Sequence, residues 1–307
     1  MRPTGVGVWS GQLRFGDPSK AAEAAAELDE LGFTALWIPD QGGPVFESVE
    51  NLLKATEHTL IATGVLNLWK HDPVDVAAAY AELRAAYADR FLLGIGVSQA
   101  SVVDAAEPGR FRKPMAAMRA FLDDLDAAPV PVPSDHRVLA AIGPKMLSLS
   151  AERAAGAHPY LVTPEGTRDA REALGTGPLL LPEQTVVLSD NADEARTIGR
   201  QFLSYYLPFA SYANKMLQSG FTADDVDTIS DRLVDAVIAW GDEDAIMRRV
   251  DEHLSAGADH VAVQVLTGDP AGFPMPQWRR LAAALGAARP GLQPCQMPTK
   301  KTPSPTP

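Results

Sequence analysis

The stretch FLLGIGVSQAS, residues 91–101, ends an apolar run in two glycines one residue apart and follows them with Ser98 and Gln99. Glycines at a strand end let backbone come close to a phosphate or a flat ring. Gly-x-Ser-x-small is also the pattern of a nucleophilic serine on a strand-to-helix turn. A dinucleotide site needs a third glycine opening a helix, and Gln99 stands in its place. A nucleophile needs a helix directly after the serine, whereas Pro108 and Pro114 predict a long loop before any helix. It also needs a base, and the histidines that follow are His136, His158, His253 and His260. Of these, His158 and His260 fall at predicted strand starts, the end of an α/β sheet opposite the chemistry. Taken alone, Gly94 and Gly96 are best explained as glycines that let a strand end pack tightly.

Other strand ends change that balance. Trp9-Ser10, Asp40-Gln41, Asn67 with Trp69-Lys70, Gly143-Pro144-Lys145 and Thr163 all close predicted strands. They are polar, glycine-rich and aromatic, with no His, Cys or carboxylate cluster at metal-ligand spacing, so no metal site is expected. A site without metal, nucleophile dyad or carboxylate pair suits an organic cofactor that brings its own reactivity. Within it, Trp9 and Trp69 are candidate walls for a ring or substrate, with packing the plainer role. Trp37 reads as core. Asp40 is a candidate to bond the ring or position Gln41, with a helix cap as the alternative. Lys70 and His71 precede a helix start and read as surface residues.

The elements that position these residues repeat. An alanine-rich amphipathic helix, a Gly or Asp stop and a short apolar strand recur at 26–40, 82–96, 150–163 and 250–266. Gly32, Gly156 and Gly257 stand where a helix end needs left-handed backbone. Asp17-Pro18 and Asp72-Pro73 place a capping carboxylate before proline at the first helical position. Val76, Tyr80, Leu83 and Tyr87 form one apolar stripe at helical spacing. Further strands are predicted at 5–9, 59–66, 137–142 and 179–189. Eight βα units in this length predict a (β/α)₈ TIM barrel, with a doubly wound sheet as the rival. Residues 192–240 are too long for one crossover and predict a helical insertion before the last strand.

Composition narrows the partners. Apolar residues make up 46% and charged residues 21% of the 307, with no apolar run long enough to span a membrane. A net charge of −12 disfavours nucleic acid and anionic lipid. The single cysteine, Cys295, excludes an intramolecular disulfide, and with no signal peptide apparent the expectation is a cytoplasmic protein. The expected partner is a small-molecule substrate, and a homodimer is the candidate assembly. The expected domain runs over 1–289, and the proline-rich tail 290–307 reads as disordered.

The set LGFTALWIPD, ATGVLNLWKHDP, DRFLLGIGVSQA and RVLAAIGPKMLSLSAERAAGAHPYLVTPE, with GDEDAIMRRVDEHLSAGADHVAVQVL, resembles the luciferase-like monooxygenase superfamily. The resemblance runs from about residue 4 to residue 267 and is nearest to the actinobacterial oxidoreductases that use coenzyme F420. It implies an α/β TIM barrel that binds F420, with FMN as the alternative, at the C-terminal face of the strands. It implies that Gly64 and Val65 form a bulge with a cis peptide bond behind the ring. Gly96, Ser98 and Gln99 are implied to lie along the ring and ribityl chain, with Ser98 a hydrogen-bonding residue, and Asn67 is a further cofactor-binding candidate. Ala141, Gly143, Pro144 and Lys145 open a helix whose N–H groups would hold the cofactor phosphate, with Thr163 nearby. Arg110, Arg112 and Lys113 join Lys145 as a basic group for the cofactor's anionic end.

Two positions depart from the sugar-phosphate-oxidising relatives, where the second strand ends in Asp-His and the fourth-strand loop carries Glu. Here they are Gln41 and Gln99, whose amides neither take nor give a proton near neutral pH. The expected reaction is hydride transfer from F420 to an activated C=C or C=O, with Asp40, Gln41 and Trp69 nearest the chemistry. An FMN-dependent monooxygenase and a non-catalytic flavin-binding barrel are the alternatives.

Overall fold

The structure, a computed structural model, describes residues 2–288. The expected tail 290–307, with Cys295, lies outside the described residues. Five strands come from the first third of the chain: β1 (Gly5–Trp9), β2 (Ala35–Ile38), β3 (Leu60–Thr63), β4 (Leu66–Asn67) and β5 (Phe91–Gly96). Six follow: β6 (Arg137–Leu139), β7 (Gly156–Ala157), β8 (Leu179–Leu180), β9 (Glu183–Val187), β10 (Ala239–Trp240) and β11 (His260–Val265). They form one curled sheet in the order β10-β9-β11-β1-β2-β3-β5-β6-β7-β8, with β4 also on β5. Every pairing is parallel. Only Leu181 and Pro182 separate β8 from β9, and the Asp259 and Ala262 amides donate to the Leu180 and Pro182 carbonyls, each at 2.9 Å.

Parallel neighbours need crossovers, and helices supply them. The helix Pro18–Glu30 starts where Asp17 accepts from the Ser19 and Lys20 amides, and Pro73–Tyr87 starts where Asp72 accepts from the Val74 amide. Val76, Tyr80 and Leu83 bury that helix's stripe. Strand residues alternate between two layers of core. Leu36 and Ile38 pack outward with the helices, whereas Ala35 and Trp37 pack inward with Trp9, Leu60, Ala62 and Leu92. Four helices, Ala192–Tyr206, Ala210–Gln218, Ala223–Thr228 and Asp231–Val237, lie between β9 and β10. They carry a cluster of their own, centred on Leu203, Leu233, Val234 and Ile238. Among the described residues no helix is long and apolar enough to cross a membrane.

Several expectations need correcting. Gly32 and Gly257 do end helices at φ +85° and +102°, but Gly156 lies within β7. A Cβ there would sit 1.9 Å from the Leu179 carbonyl oxygen, so this glycine serves close strand pairing instead. The expected strand through 158–163 stops at Ala157, because Pro159 has no N–H to donate and Leu161 takes φ +55°. A helix over Ala100–Ala106 follows Gln99 directly, where a long loop was expected; only Val103 of it is buried, so it leaves almost no apolar periodicity to read. The expected strand 59–66 is split into β3 and β4 at Gly64–Val65, whose peptide bond is cis.

Candidate functional site

A cavity of about 310 Å³ opens at the C-terminal ends of the strands. Trp9, Asp40, Gln41, Gly64, Val65, Asn67, Gly96, Ser98 and Gln99 line it, so nine of the predicted residues meet at one place. The split between β3 and β4 shapes its floor. A Cβ on Gly94 would lie 2.0 Å from the Thr63 carbonyl oxygen, and one on Gly96 would lie 2.5 Å from the Val65 side chain. These glycines therefore admit the neighbouring strand, and only Gly96 of the two reaches the cavity. The Trp9 indole N–H donates to the Gly64 carbonyl at 3.1 Å, which fixes that ring against the bulge.

Asp40 is buried and its carboxylate is used unevenly. Oδ2 accepts from the Asn67 amide at 3.0 Å and lies 2.8 Å from His71 Nε2, while buried Oδ1 has no partner among the described residues. Burial alone would raise its pKa, but the bonds from His71 and Asn67 outweigh that and hold the carboxyl below its ordinary range. Asp40 is thus an ionised acceptor at neutral pH. His71, expected at the surface, stands behind Asp40 with its side chain 20% exposed.

The sequence placed His158 at a strand start, but it follows the end of β7 and lines the cavity. Its ring stacks on Trp37 with centroids 4.2 Å apart and planes 6° from parallel. Nδ1 lies 2.6 Å from the Leu181 carbonyl and so carries the proton. Nε2 is buried without a partner. Complete burial lowers the His158 pKa to about 4, leaving a neutral ring whose free nitrogen can only accept. Ser98 takes φ +56° ahead of the helix, as in a nucleophile elbow, yet no described residue bonds its hydroxyl. Without a base, that serine has no route to a nucleophile.

The cavity's other side is aromatic. Tyr160, Tyr205, Tyr206, Phe209 and Tyr212 line it, most of them from the helical segment after β9. Tyr160 Oη donates to Gln264 Oε1 at 2.7 Å and lies 3.0 Å from Tyr206 Oη. Burial raises the pKa of Tyr160, Tyr206 and Tyr212 well above the ordinary tyrosine value. The sequence offered a signal here, since Phe202, Tyr205, Phe209 and Tyr212 recur at three- and four-residue steps.

The remaining predicted residues stand apart from the cavity. The Trp69 indole donates to the Val97 carbonyl at 2.7 Å and packs on Phe111, a bracing role for the segment after β5. Ala141 is buried in a satellite cluster with Leu147 and Ala157. Gly143 opens the helix Pro144–Arg153 with no side-chain cap, and a Cβ added there would meet open space. Lys145 is on that helix's first turn. Thr163 caps the helix Pro164–Leu174, its hydroxyl accepting from the Gly166 amide at 3.2 Å. Arg110 pairs with Glu107 on the surface, and Arg112 lies against Gly109. Gln99, which does line the cavity, accepts through Oε1 from the Ser211 hydroxyl at 2.8 Å and ties its loop to the helical segment. Among the described residues no group of His, Cys, Asp or Glu is arranged to hold a metal ion.

Residues 2–128 match the sequence profile of the luciferase-like monooxygenase family, which bears out the resemblance over that part of the chain. A Mycobacterium tuberculosis protein provisionally named as a coenzyme F420-dependent oxidoreductase is 23% identical, across 84% of this chain and 93% of the relative. In fold, the chain is similar to an F420-dependent secondary alcohol dehydrogenase solved with an F420–acetone adduct. That likeness has a TM-score of 0.72 and 13% identity, and it covers 92% of this chain and 99% of the other. It is also similar to the FMN-bound oxygenating constituent of a Pseudomonas putida 3,6-diketocamphane monooxygenase. There the TM-score is 0.68 at 14% identity, over 95% of this chain and 99% of the other.

Proposed function

We propose that the chain is a luciferase-like oxidoreductase that binds coenzyme F420 in the cavity at the strand ends and reduces an activated C=C or C=O. One observation carries this reading. Asp40 and His158 line the cavity, and each keeps one buried atom without a partner, Asp40 Oδ1 and His158 Nε2, both of which can only accept hydrogen bonds. A deazaflavin or flavin ring presents N–H on its pyrimidine edge and flat apolar faces elsewhere. Aromatic walls and acceptor-only polar groups suit such a ring. The uncapped helix opening at Gly143-Pro144, with Lys145 beside it, fits a phosphate. We also read the sheet as a closed (β/α)₈ barrel, with β8 and β9 acting as one strand between β7 and β11. Residues 192–240 are then the helical insertion.

Reduced F420, when bound, supplies a hydride to the substrate and leaves oxidised, while solvent or a substrate group supplies the proton. The chain's part is to hold, orient and exclude water. Asp40 is held ionised by His71 and the Asn67 amide, so it orients a donor and does not protonate substrate. Gln41 and Gln99 carry no titratable proton at all. The tyrosines, kept protonated by burial, screen the cavity from bulk water.

Equilibrium titration of the purified protein with F420 and with FMN, followed by absorbance, tests the assignment. F420 is expected to bind at least tenfold more tightly. Tighter binding of FMN would replace this reading with the flavin monooxygenase one.

A further inference from the structure

A second and larger cavity, about 510 Å³, adjoins the first and shares Trp9, Pro39, Gln41 and Tyr206 with it. It lies between the end of β1, the segment after β11 and the helix Ala192–Tyr206. None of its lining residues carries a charge. Its polar side chains are mainly amides, those of Gln12, Gln41, Gln201 and Gln264. Gln12 is already committed, since its nitrogen donates to the Pro270 carbonyl and its oxygen accepts from Ser10. Gln201 and Gln41 are exposed at the rim.

Gln264, on β11, is held differently. Its Oε1 accepts from Tyr160 Oη at 2.7 Å. A carboxamide oxygen cannot donate, so Tyr160 spends its one proton there, and Tyr206 must donate to Tyr160 across 3.0 Å. With its oxygen on Tyr160, the amide turns its nitrogen away from the hydroxyl pair. Its Nε2 makes no hydrogen bond to any described residue. The second cavity thus has one inner polar group with a set direction, a pair of N–H donors, between walls such as Phe15, Ile198, Phe202 and Leu266.

We propose that this second cavity is the substrate subsite, and that it takes an uncharged, largely apolar carbonyl compound whose oxygen accepts from the Gln264 amide. The role as a substrate site rests on the F420 reading above; the ligand class rests on the cavity alone. An anionic or cationic ligand would lose its hydration there and meet no counter-charge. A carbonyl satisfies the free amide donors and leaves the apolar walls undisturbed.

The test is a fluorescence titration of the full chain with menadione, 1-naphthoate and 1-naphthylmethylammonium, three ring-matched probes that differ in charge. Menadione is expected to bind at least tenfold more tightly than either ion. Gln264→Leu should weaken menadione about fivefold, the loss of one hydrogen bond, and leave the ions unchanged. Equal affinity for naphthoate, or an unchanged menadione affinity in Gln264→Leu, would overturn the proposal. Should Gln264→Leu not fold, Tyr160→Phe releases the amide and is expected to weaken menadione two- to threefold; no change overturns the proposal equally. An F420 titration on the same preparation separates the two readings. Menadione selectivity without F420 binding sinks the cofactor assignment alone, and F420 binding without menadione selectivity sinks this one alone.

Discussion

The two sides of the first cavity are built on opposite principles. Its floor, from β1 to β5, is backbone and small residues pressed together, with polar atoms fixed by hydrogen bonds from neighbouring strand ends: Trp9 on Gly64, Asn67 on Asp40, Thr63 on Gly94. Its roof is a group of tyrosines from the helices after β9, held by ring packing, as between Tyr206 and Tyr212 at 5.6 Å, and by one hydroxyl contact. The floor tolerates no added atom and holds its charge state through bonding. The roof keeps its protons through burial and has side chains that can repack. Precision sits in the floor, and the capacity to vary sits in the roof.

Substitutions can break that contrast. Gly94→Ala attacks the floor where it is tightest, since the new Cβ would meet the Thr63 carbonyl oxygen at 2.0 Å. Backbone must move, so we expect a loss of about 4 kcal/mol or no folded protein at all, read by urea unfolding. Gly143→Ala, with nothing within 4 Å of its Cβ, should be near neutral by the same measurement. Asp40→Ala comes next. It leaves the buried Asn67 amide and His71 Nε2 without their acceptor and should cost about 2 kcal/mol, while weakening F420 at least tenfold. Retained F420 affinity would remove Asp40 from the site.

His158, just after β7, gives the cavity a pH signature. Its folded pKa is lowered to about 4 from 6.5, so below pH 6.5 the unfolded chain binds the proton that the folded one refuses. The associated stability is fully present above pH 6.5 and is lost as pH falls towards 4, by up to about 1.4 kcal/mol per pH unit. His253 and His260, both lowered to about 3 by burial, act in the same direction. Stability of His158→Gln measured across that window should therefore fall less steeply than that of the unaltered chain. Parallel curves would mean that His158 is protonated in the folded state. The roof gives a smaller effect than the floor. Tyr206→Phe removes only the contact with Tyr160 and should cost about 1 kcal/mol in the same assay. A loss as large as that of Asp40→Ala would erase the distinction between the two sides.

The same division marks what could be read from the sequence. Trp9, Asp40, Asn67 and Ser98 were legible because alternating helices and strands, punctuated by Asp-Pro and Gly, place each strand end within a residue or two. The roof depends on how the helices after β9 fold back over the sheet, and one chain's periodicity says nothing of that angle. Tyr160 and His158 were obscured by a strand extended too far, since HPYLVT is apolar enough to pass for one although Pro159 ends the pairing. His71 is hidden in the sequence because a helix start is usually solvated; its bond to Asp40 joins residues far apart in sequence. Gly156 shows the limit of a position-based rule, because a glycine after a helix can equally be the first residue of a crowded strand.

The pairing of β1 with β11, from Gly5 on His260 to Val8 on Val263, bears on how the molecule is made. A ribosome delivers β1 first and its partner some 250 residues later. Until β11 emerges, β1 has β2 on one side and an open edge of unpaired N–H and C=O groups on the other. Trp9, which walls both cavities, stands at the end of that edge. Neither cavity can therefore exist on the nascent chain before its last strand is synthesised. A message cut short of residue 260 would yield a sticky edge and not a weaker enzyme, so for this fold translation must finish before binding can begin.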